Sequence, residues 1–339
     1  MVKSILVLLL IGMSIVYFER SNDTMKDKLT ISQLVEQMGQ SIEAIGIAET
    51  KDDSIPRFNQ PKTIACVNAE FKVDNDIPQK LKQGIFGEGR SYPATIRFAN
   101  ATSMDDSKKD IRGLSMRLSN VKGNVLWGEQ GYQDFIFNSY PALFVATPEE
   151  FLTFIKARQK DKKLGFFLNP FDSHLKSLWI VFKARDKHLS PLDIRFWSTV
   201  PFRLGEKSDM AVKYSMIPCS KYKTIQAVNP GENQLRAALK AHLEKEDACF
   251  YFAVQIQTDT KSMPIEDASV IWDEDVSPFI TLATVTIKNQ DFENSISLDN
   301  CEKSSFNPWQ SLAAHVPLGR MNEVRRLVYE NASIFRNKE

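Results

Sequence analysis

Along residues 30–49 apolar side chains recur at Leu34, Met38, Ile42 and Ile45, at intervals of four, four and three. That spacing sets them on one stripe of a 3.6-residue turn and predicts an amphipathic helix, with Thr30 or Ser32 as its N-cap. Residues 50–62 hold Asp52, Asp53, Pro56 and Pro61 and read as a turn-rich entry segment. The period then changes to two. In residues 63–73, Ala69, Phe71 and Val73 alternate with Asn68, Glu70 and Lys72, as in a strand with one buried face. Residues 94–98, 113–118, 134–138, 212–217, 249–258 and 280–287 have the same strand character. Residues 146–163 and 172–188 predict helices, the first opening Thr147-Pro148-Glu149 with proline where its missing N–H costs nothing. A last helix is predicted from 319 or 320 to 335. With no internal repeat and no low-complexity tract, the mixture predicts one α+β domain centred on an antiparallel sheet or closed barrel.

Before the first helix stands a different pattern. Lys3 is followed by an uncharged, mostly apolar run over residues 4–18, then by Glu19 and Arg20. As a helix that run spans about 22 Å, short of the roughly 30 Å hydrocarbon core of a bilayer. A basic residue before a short apolar run marks a signal sequence, but the bulky Tyr17, Phe18, Glu19 and Arg20 offer no small-residue cleavage site. Residues 1–20 are therefore read as a signal-anchor or signal peptide. Residues 21–49 form a tether and amphipathic helix, and residues 50–339 the main domain. The expected location is exported or membrane-anchored, with N-terminal membrane contact and the soluble domain on the extracytoplasmic side.

Composition narrows the chemistry. The 43 basic and 42 acidic side chains leave a net charge of +1, so no nucleic-acid partner is expected. Cys66, Cys219, Cys249 and Cys301 are scattered without a CxxC pair, fitting neither a zinc ribbon nor a disulfide-dense miniprotein. Cys66, between Ala65 and Val67, reads as a small buried apolar residue. The four histidines, His174, His188, His242 and His315, are far apart, which argues against a multi-histidine metal centre; His315 reads as structural.

One pair in the last helix is either an ordinary surface pair or a site of chemistry. Arg325 and Tyr329 lie four residues apart on one helical face. A guanidinium beside a phenol favours the phenolate, a hard anionic ligand of the kind that binds haem iron. Arg336, two turns beyond Tyr329 and near the same side, is placed to meet a haem propionate.

Around that pair the stretches GIFGEGRSYPATIRFAN (84–100), DIRGLSMRLS (110–119), QDFIFNSYPALFVATPEEF (133–151) and MPIEDASVIWDEDVSPF (263–279) resemble the catalase-related haem proteins. So does the FNPW, PLGRMN and Arg-x-x-x-Tyr ending. The superfamily includes the large haem catalases, their smaller bacterial relatives and the allene oxide synthases. The resemblance runs from Arg57 to Arg336. It implies a catalase-like antiparallel β-barrel with surrounding helices, binding one haem b between the barrel and the C-terminal helix. Tyr329 matches the iron ligand and Arg325 the arginine that keeps it deprotonated. Arg57, Arg97 and Arg336 match the arginines that pair with propionates, a task suited to a bidentate guanidinium. Asn138 matches the distal asparagine, and Phe144 and Phe151 match apolar residues around the porphyrin.

On the distal side the chain departs from the pattern. The family's Arg-x-x-His-x-Lys entry motif reads Arg57-Phe58-Asn59-Gln60-Pro61-Lys62, and no histidine precedes His174. Gln60 stands in the catalytic histidine's place, and Ala99 where large catalases carry a supporting serine. Heterolysis of a peroxide moves a proton from one oxygen to the other; an imidazole does this, whereas an amide only donates and accepts hydrogen bonds. The expectation is a haem oxidoreductase acting on hydrogen peroxide or an organic hydroperoxide, as monomer or homodimer, with weak classical catalase activity and Gln60 and Asn138 forming the distal site. The alternative is a haem-binding or sensing protein without turnover.

Overall fold

Thr30 caps the first helix, α1 (Ile31–Glu49): its hydroxyl accepts from the Gln33 N–H while the Gln33 side chain accepts from the Thr30 N–H. This reciprocal capping satisfies two of the donors that a helix start leaves open. The structure is a computed structural model that describes residues 28–50, 54–87, 89–170 and 172–337. The segment read as an anchor, and most of the tether before α1, lie outside those residues. No helix among the described residues is long and apolar enough to cross a membrane.

The period-two segments form a barrel. In order they are β1 (Lys62–Val73), β2 (Ser91–Asn100), β3 (Arg112–Leu118), β4 (Gln133–Asn138), β5 (Phe196–Trp197), β6 (Phe202–Arg203), β7 (Ala211–Pro218), β8 (Ala248–Ile256) and β9 (Ile280–Ile287). All pairings are antiparallel. β1 pairs with both β2 and β9, and β5 bridges β4 to β7, so eight strands close on themselves, with β6 attached to β7. Closure leaves those strands no open edge. The interior is filled by fully buried rings, among them Phe71, Phe98, Phe135, Phe137, Tyr214, Phe250 and Phe252. Phe135 and Phe252 meet edge-on, with ring centroids 5.0 Å apart. The architecture is the expected α+β barrel with helices around it.

Around the barrel lie α2 (Pro148–Gln159), α3 (Lys163–Leu168), α4 (Leu175–Ala184), α5 (Gln234–Leu243), α6 (Ser295–Lys303) and α7 (Arg320–Arg336). Thr147 caps α2, and Pro148 occupies its first turn, as predicted. The helix expected over 146–163 ends earlier, at Gln159, with Asp161 in a left-handed conformation (φ 52°) just beyond it, and α3 begins only at Lys163. α1 and α7 pack through Leu34, Met38, Ile42, Ile45, Val324 and Val328, which fixes the C-terminal helix against the amphipathic one.

The cysteines require a correction. Cys66 is not merely a small apolar side chain: it is bonded to Cys301, and Cys219 to Cys249, so none is free. The sequence separation of 235 between Cys66 and Cys301 puts the pairing beyond any local signal.

Candidate functional site

Strand alternation turns one side of β2, β3 and β4 away from the barrel interior. Arg97 pairs in register with Ser115, and Ser115 with Ile136, forming a row that lines a cleft. In the adjoining row Ala99 pairs with Gly113, and Gly113 with Asn138. The residues before β1, together with α1 and α7, build the walls. Counted out to its open mouth, the cleft holds about 1000 Å³ of space not filled by atoms.

Gln60 enters this cleft from the segment before β1 with a left-handed backbone (φ 60°), a conformation that costs a side-chain-bearing residue about 1–3 kcal/mol. Two bonds hold it there: its N–H donates to the Ala101 carbonyl (3.1 Å), and its carbonyl accepts from Arg97 Nη2 (2.8 Å). The Gln60 amide lies over Gly113, where a Cβ would stand 2.1 Å from Nε2. Only glycine permits that approach. Nε2 then donates to Asn138 Oδ1 at 3.4 Å, so Asn138 meets the site through Gln60.

Tyr329 lines the same cleft from α7. Arg325, one turn earlier, donates from Nη2 to Tyr329 Oη (3.2 Å) and from Nη1 to Asn322 Oδ1 (2.9 Å). Asn322 is fully buried and gives its amide hydrogens to the carbonyls of Pro201 and Leu318. It fixes Arg325 three residues along the same helix, while its own anchor on the Pro201 carbonyl lies across the fold, where helical spacing carries no signal.

Arg57, Arg97 and Arg336 also line the cleft. They converge on one carboxylate, Glu302, at 3.5, 3.9 and 3.7 Å. Arg57 Nη2 donates to the carbonyls of Glu302 and Ser304, and Arg336 Nη1 to that of Glu302. Arg336 Nη2 is buried with no hydrogen-bond partner, and Arg57 Nε, likewise without a hydrogen bond, meets only the Glu302 carboxylate as an ion pair at 3.5 Å. Burial foremost, then the neighbouring Arg57, holds the Arg97 guanidinium down to about 9. Burial and Arg57 likewise hold Arg336 down to about 10. Three cations against one carboxylate make this end an anion-receiving pole. Glu302 was not singled out by the sequence, because α6 brings it to the arginines across the fold.

Phe151 lines the cleft, while Phe144 does not; it packs on Phe151 and Phe154, with centroids 6.2 and 4.8 Å away, and supports the wall from behind. No histidine lines the cleft. His315 is fully buried near the barrel, its Nε2 accepting from the Ile85 N–H and its Nδ1 meeting Tyr214 Oη. That geometry fits a structural role, as expected of it.

The chain is similar to several known proteins. A family model described as Catalase matches residues 47–177. The allene oxide synthase-lipoxygenase protein of Plexaura homomalla is 22% identical over 262 residues, covering 70% of this chain and 23% of that protein. The catalase of Latilactobacillus sakei is 29% identical over 97 residues, 27% of this chain and 19% of its own. The chain thus spans less than a quarter of the length of either curated relative. Two solved structures, a bacterial catalase and catalase A from Saccharomyces cerevisiae, share the fold with a TM-score of 0.67 at 16% identity. They match 84% of this chain, which covers 58% and 62% of theirs.

Proposed function

We propose that the chain is a member of the catalase-related superfamily, a reading supported by the family model over residues 47–177 and by the shared fold, and that it is a haem-dependent oxidoreductase acting on hydrogen peroxide or an organic hydroperoxide. The observation that carries this reading is one cleft lined by the Tyr329 phenol, with Arg325 donating to it, and by three arginines at an anionic-ligand pole. The residues suit haem b. Arg57 Nε and Arg336 Nη2 are buried donors that make no hydrogen bond, leaving capacity for a propionate, and Phe151, Phe306 and Phe335 supply apolar surface for a flat ring. Tyr329 would hold the iron, while Arg57, Arg97 and Arg336 would hold the carboxylates. When bound, the group supplies a redox-active metal for cleavage of an O–O bond.

What the chain adds is positioning. Asn138 orients the Gln60 amide, and Arg97 fixes the Gln60 backbone. That amide steers a peroxide by hydrogen bonding but takes no proton as a base, and loss of a general acid–base costs on the order of 10²–10⁴ in rate. Disproportionation of hydrogen peroxide is therefore slow, and homolytic conversion of an organic hydroperoxide, which needs less proton movement, is favoured. The two disulfides support work in an oxidising compartment outside the cytoplasm.

The absence of an imidazole among the cleft-lining residues favours a second reading, a haem-binding protein without turnover. Titration of the purified chain with haemin tests both. A five-coordinate ferric tyrosinate spectrum, altered in Tyr329→Phe, is expected. Peroxide turnover above that of free haemin supports the enzyme, and turnover no better supports the second reading. Failure to bind haemin, or a Tyr329→Phe spectrum and occupancy equal to the parent's, overturns both.

A further inference from the structure

Charge is not spread evenly along this nearly neutral chain. Residues 156–187 carry nine basic side chains and three acidic ones, a local surplus of six in a protein of net charge +1. Lys160, Lys162, Lys163, Lys183 and Lys187 are all exposed. The same stretch leaves large apolar side chains in water: Leu164 is 72% exposed, Phe182 68%, Trp179 58%, Leu175 57% and Leu168 55%. On α4 the exposed Leu175, Trp179 and Phe182 are spaced by four and three, one helical face, while Ser177, Ile180 and Ala184 on the other face are buried. Trp179 and Phe182 lie ring to ring at 6.0 Å, with Lys183 Nζ 4.8 Å from the Trp179 ring centroid. The neighbouring helix α3 is joined to α4 by the stack of Phe166 on His174 at 4.0 Å. Its apolar side divides in the same way: Phe166 and Phe167 face inward, Leu164 and Leu168 outward.

An apolar face set among lysines selects its occupant by charge. A second copy of this chain, meeting it about a two-fold axis, would bring the same lysines against each other. An anionic bilayer meets both features: lysines reach the phosphates, while tryptophan, phenylalanine and leucine enter the headgroup–acyl boundary, where aromatic rings settle. We propose that the outer face of α3 and α4 is a monotopic docking surface for anionic phospholipid, with Trp179 and Phe182 as its inserted anchors. This contact is separate from any made by the N-terminal segment and does not depend on the proposed reaction.

The test uses the full chain and vesicles of phosphatidylcholine with or without phosphatidylglycerol, their acyl chains brominated to quench tryptophan emission. Anionic vesicles should quench the parent strongly and neutral ones weakly, and Trp179→Phe should lose that quenching. Replacing Lys162, Lys163 and Lys183 together by glutamine should weaken binding on the order of 100-fold. All variants keep the N-terminal segment, so membrane contact made only there would leave quenching equal in parent and Trp179→Phe, which would overturn the proposal. Equal quenching by neutral and anionic vesicles would also overturn it. So would a concentration-dependent dimer, seen by sedimentation, that Phe182→Glu abolishes.

Discussion

Replacing Arg97 by methionine separates what this residue does for folding from what it does for a ligand. Arg97 is 2% exposed, and its guanidinium is held down to about 9 from an ordinary 12.5, by burial first and by Arg57 next. At 1.36 kcal/mol per pH unit, keeping that charge in the folded protein costs about 5 kcal/mol. Because the folded-state value is the depressed one, the whole cost is present at every pH below about 9, including pH 7. Against it stand two bonds from a charged donor, to Thr63 Oγ1 (3.0 Å) and the Gln60 carbonyl (2.8 Å). Such bonds contribute about 1.5–3 kcal/mol each. The terms nearly cancel, and methionine retains much of the buried aliphatic volume. In the absence of haem, urea denaturation should therefore place Arg97→Met within about 2 kcal/mol of the parent, well short of the 3–5 kcal/mol expected when a buried pair is broken. Haemin titration followed by Soret absorbance should show affinity reduced tenfold or more, since a buried cation at the anionic-ligand pole is gone. A stability loss of 4 kcal/mol or more would make Arg97 a structural tether, and unchanged haemin affinity would remove it from the ligand site.

Two further outcomes follow from the same geometry. Gln60→His should raise peroxide consumption by the haem-loaded protein at least tenfold, since histidine tolerates the left-handed backbone and supplies the missing proton acceptor; no gain would mean that the pocket has diverged beyond this side chain. His315, held by burial down to about 3 from 6.5, resists protonation in the folded state. The unfolded chain binds that proton first, so His315 should remove about 1.4 kcal/mol of stability per unit as pH falls from 6.5 toward 3. His315→Gln should be less stable at pH 7 but show a shallower acid limb in urea titrations at pH 7, 5.5 and 4; parallel limbs would contradict this.

Much of the barrel was legible because parts of β1, β8 and β9 alternate, and β3, β4 and β7, buried on both faces, stand out as short strand-forming runs. Residues 280–287 match the bounds of β9, and the six other expected strands overlap β1, β2, β3, β4, β7 and β8. β5 and β6 hold two residues each, fewer than one period of alternation needs. The break at Asp161 depends on a backbone angle that an ordinary helix-compatible sequence does not announce. In the site, Arg325, Tyr329 and Arg336 share one helix and were legible from spacing, and Arg57, Gln60 and Arg97 from motif. Glu302, Asn322 and Gly113 were not. Each acts through a contact made across the fold: Glu302 with Arg57, Asn322 with the Pro201 carbonyl, and Gly113 by lacking a Cβ under Gln60.

The bond between Cys66 and Cys301 draws the polypeptide into a covalent ring that contains all of β2 through β9. Of the residues lining the cleft, Arg97, Ser115, Ile136 and Phe151 belong to that ring; the rest hang from the two free ends that leave the junction. The binding groove is thus clasped by two arms that one sulfur–sulfur bond joins at their base, each also tied to the ring by hydrogen bonds, Gln60 to Arg97 and Asn322 to Pro201. A thiol reductant would remove the one covalent link between the two arms while leaving the hydrogen bonds that hold each of them to the ring.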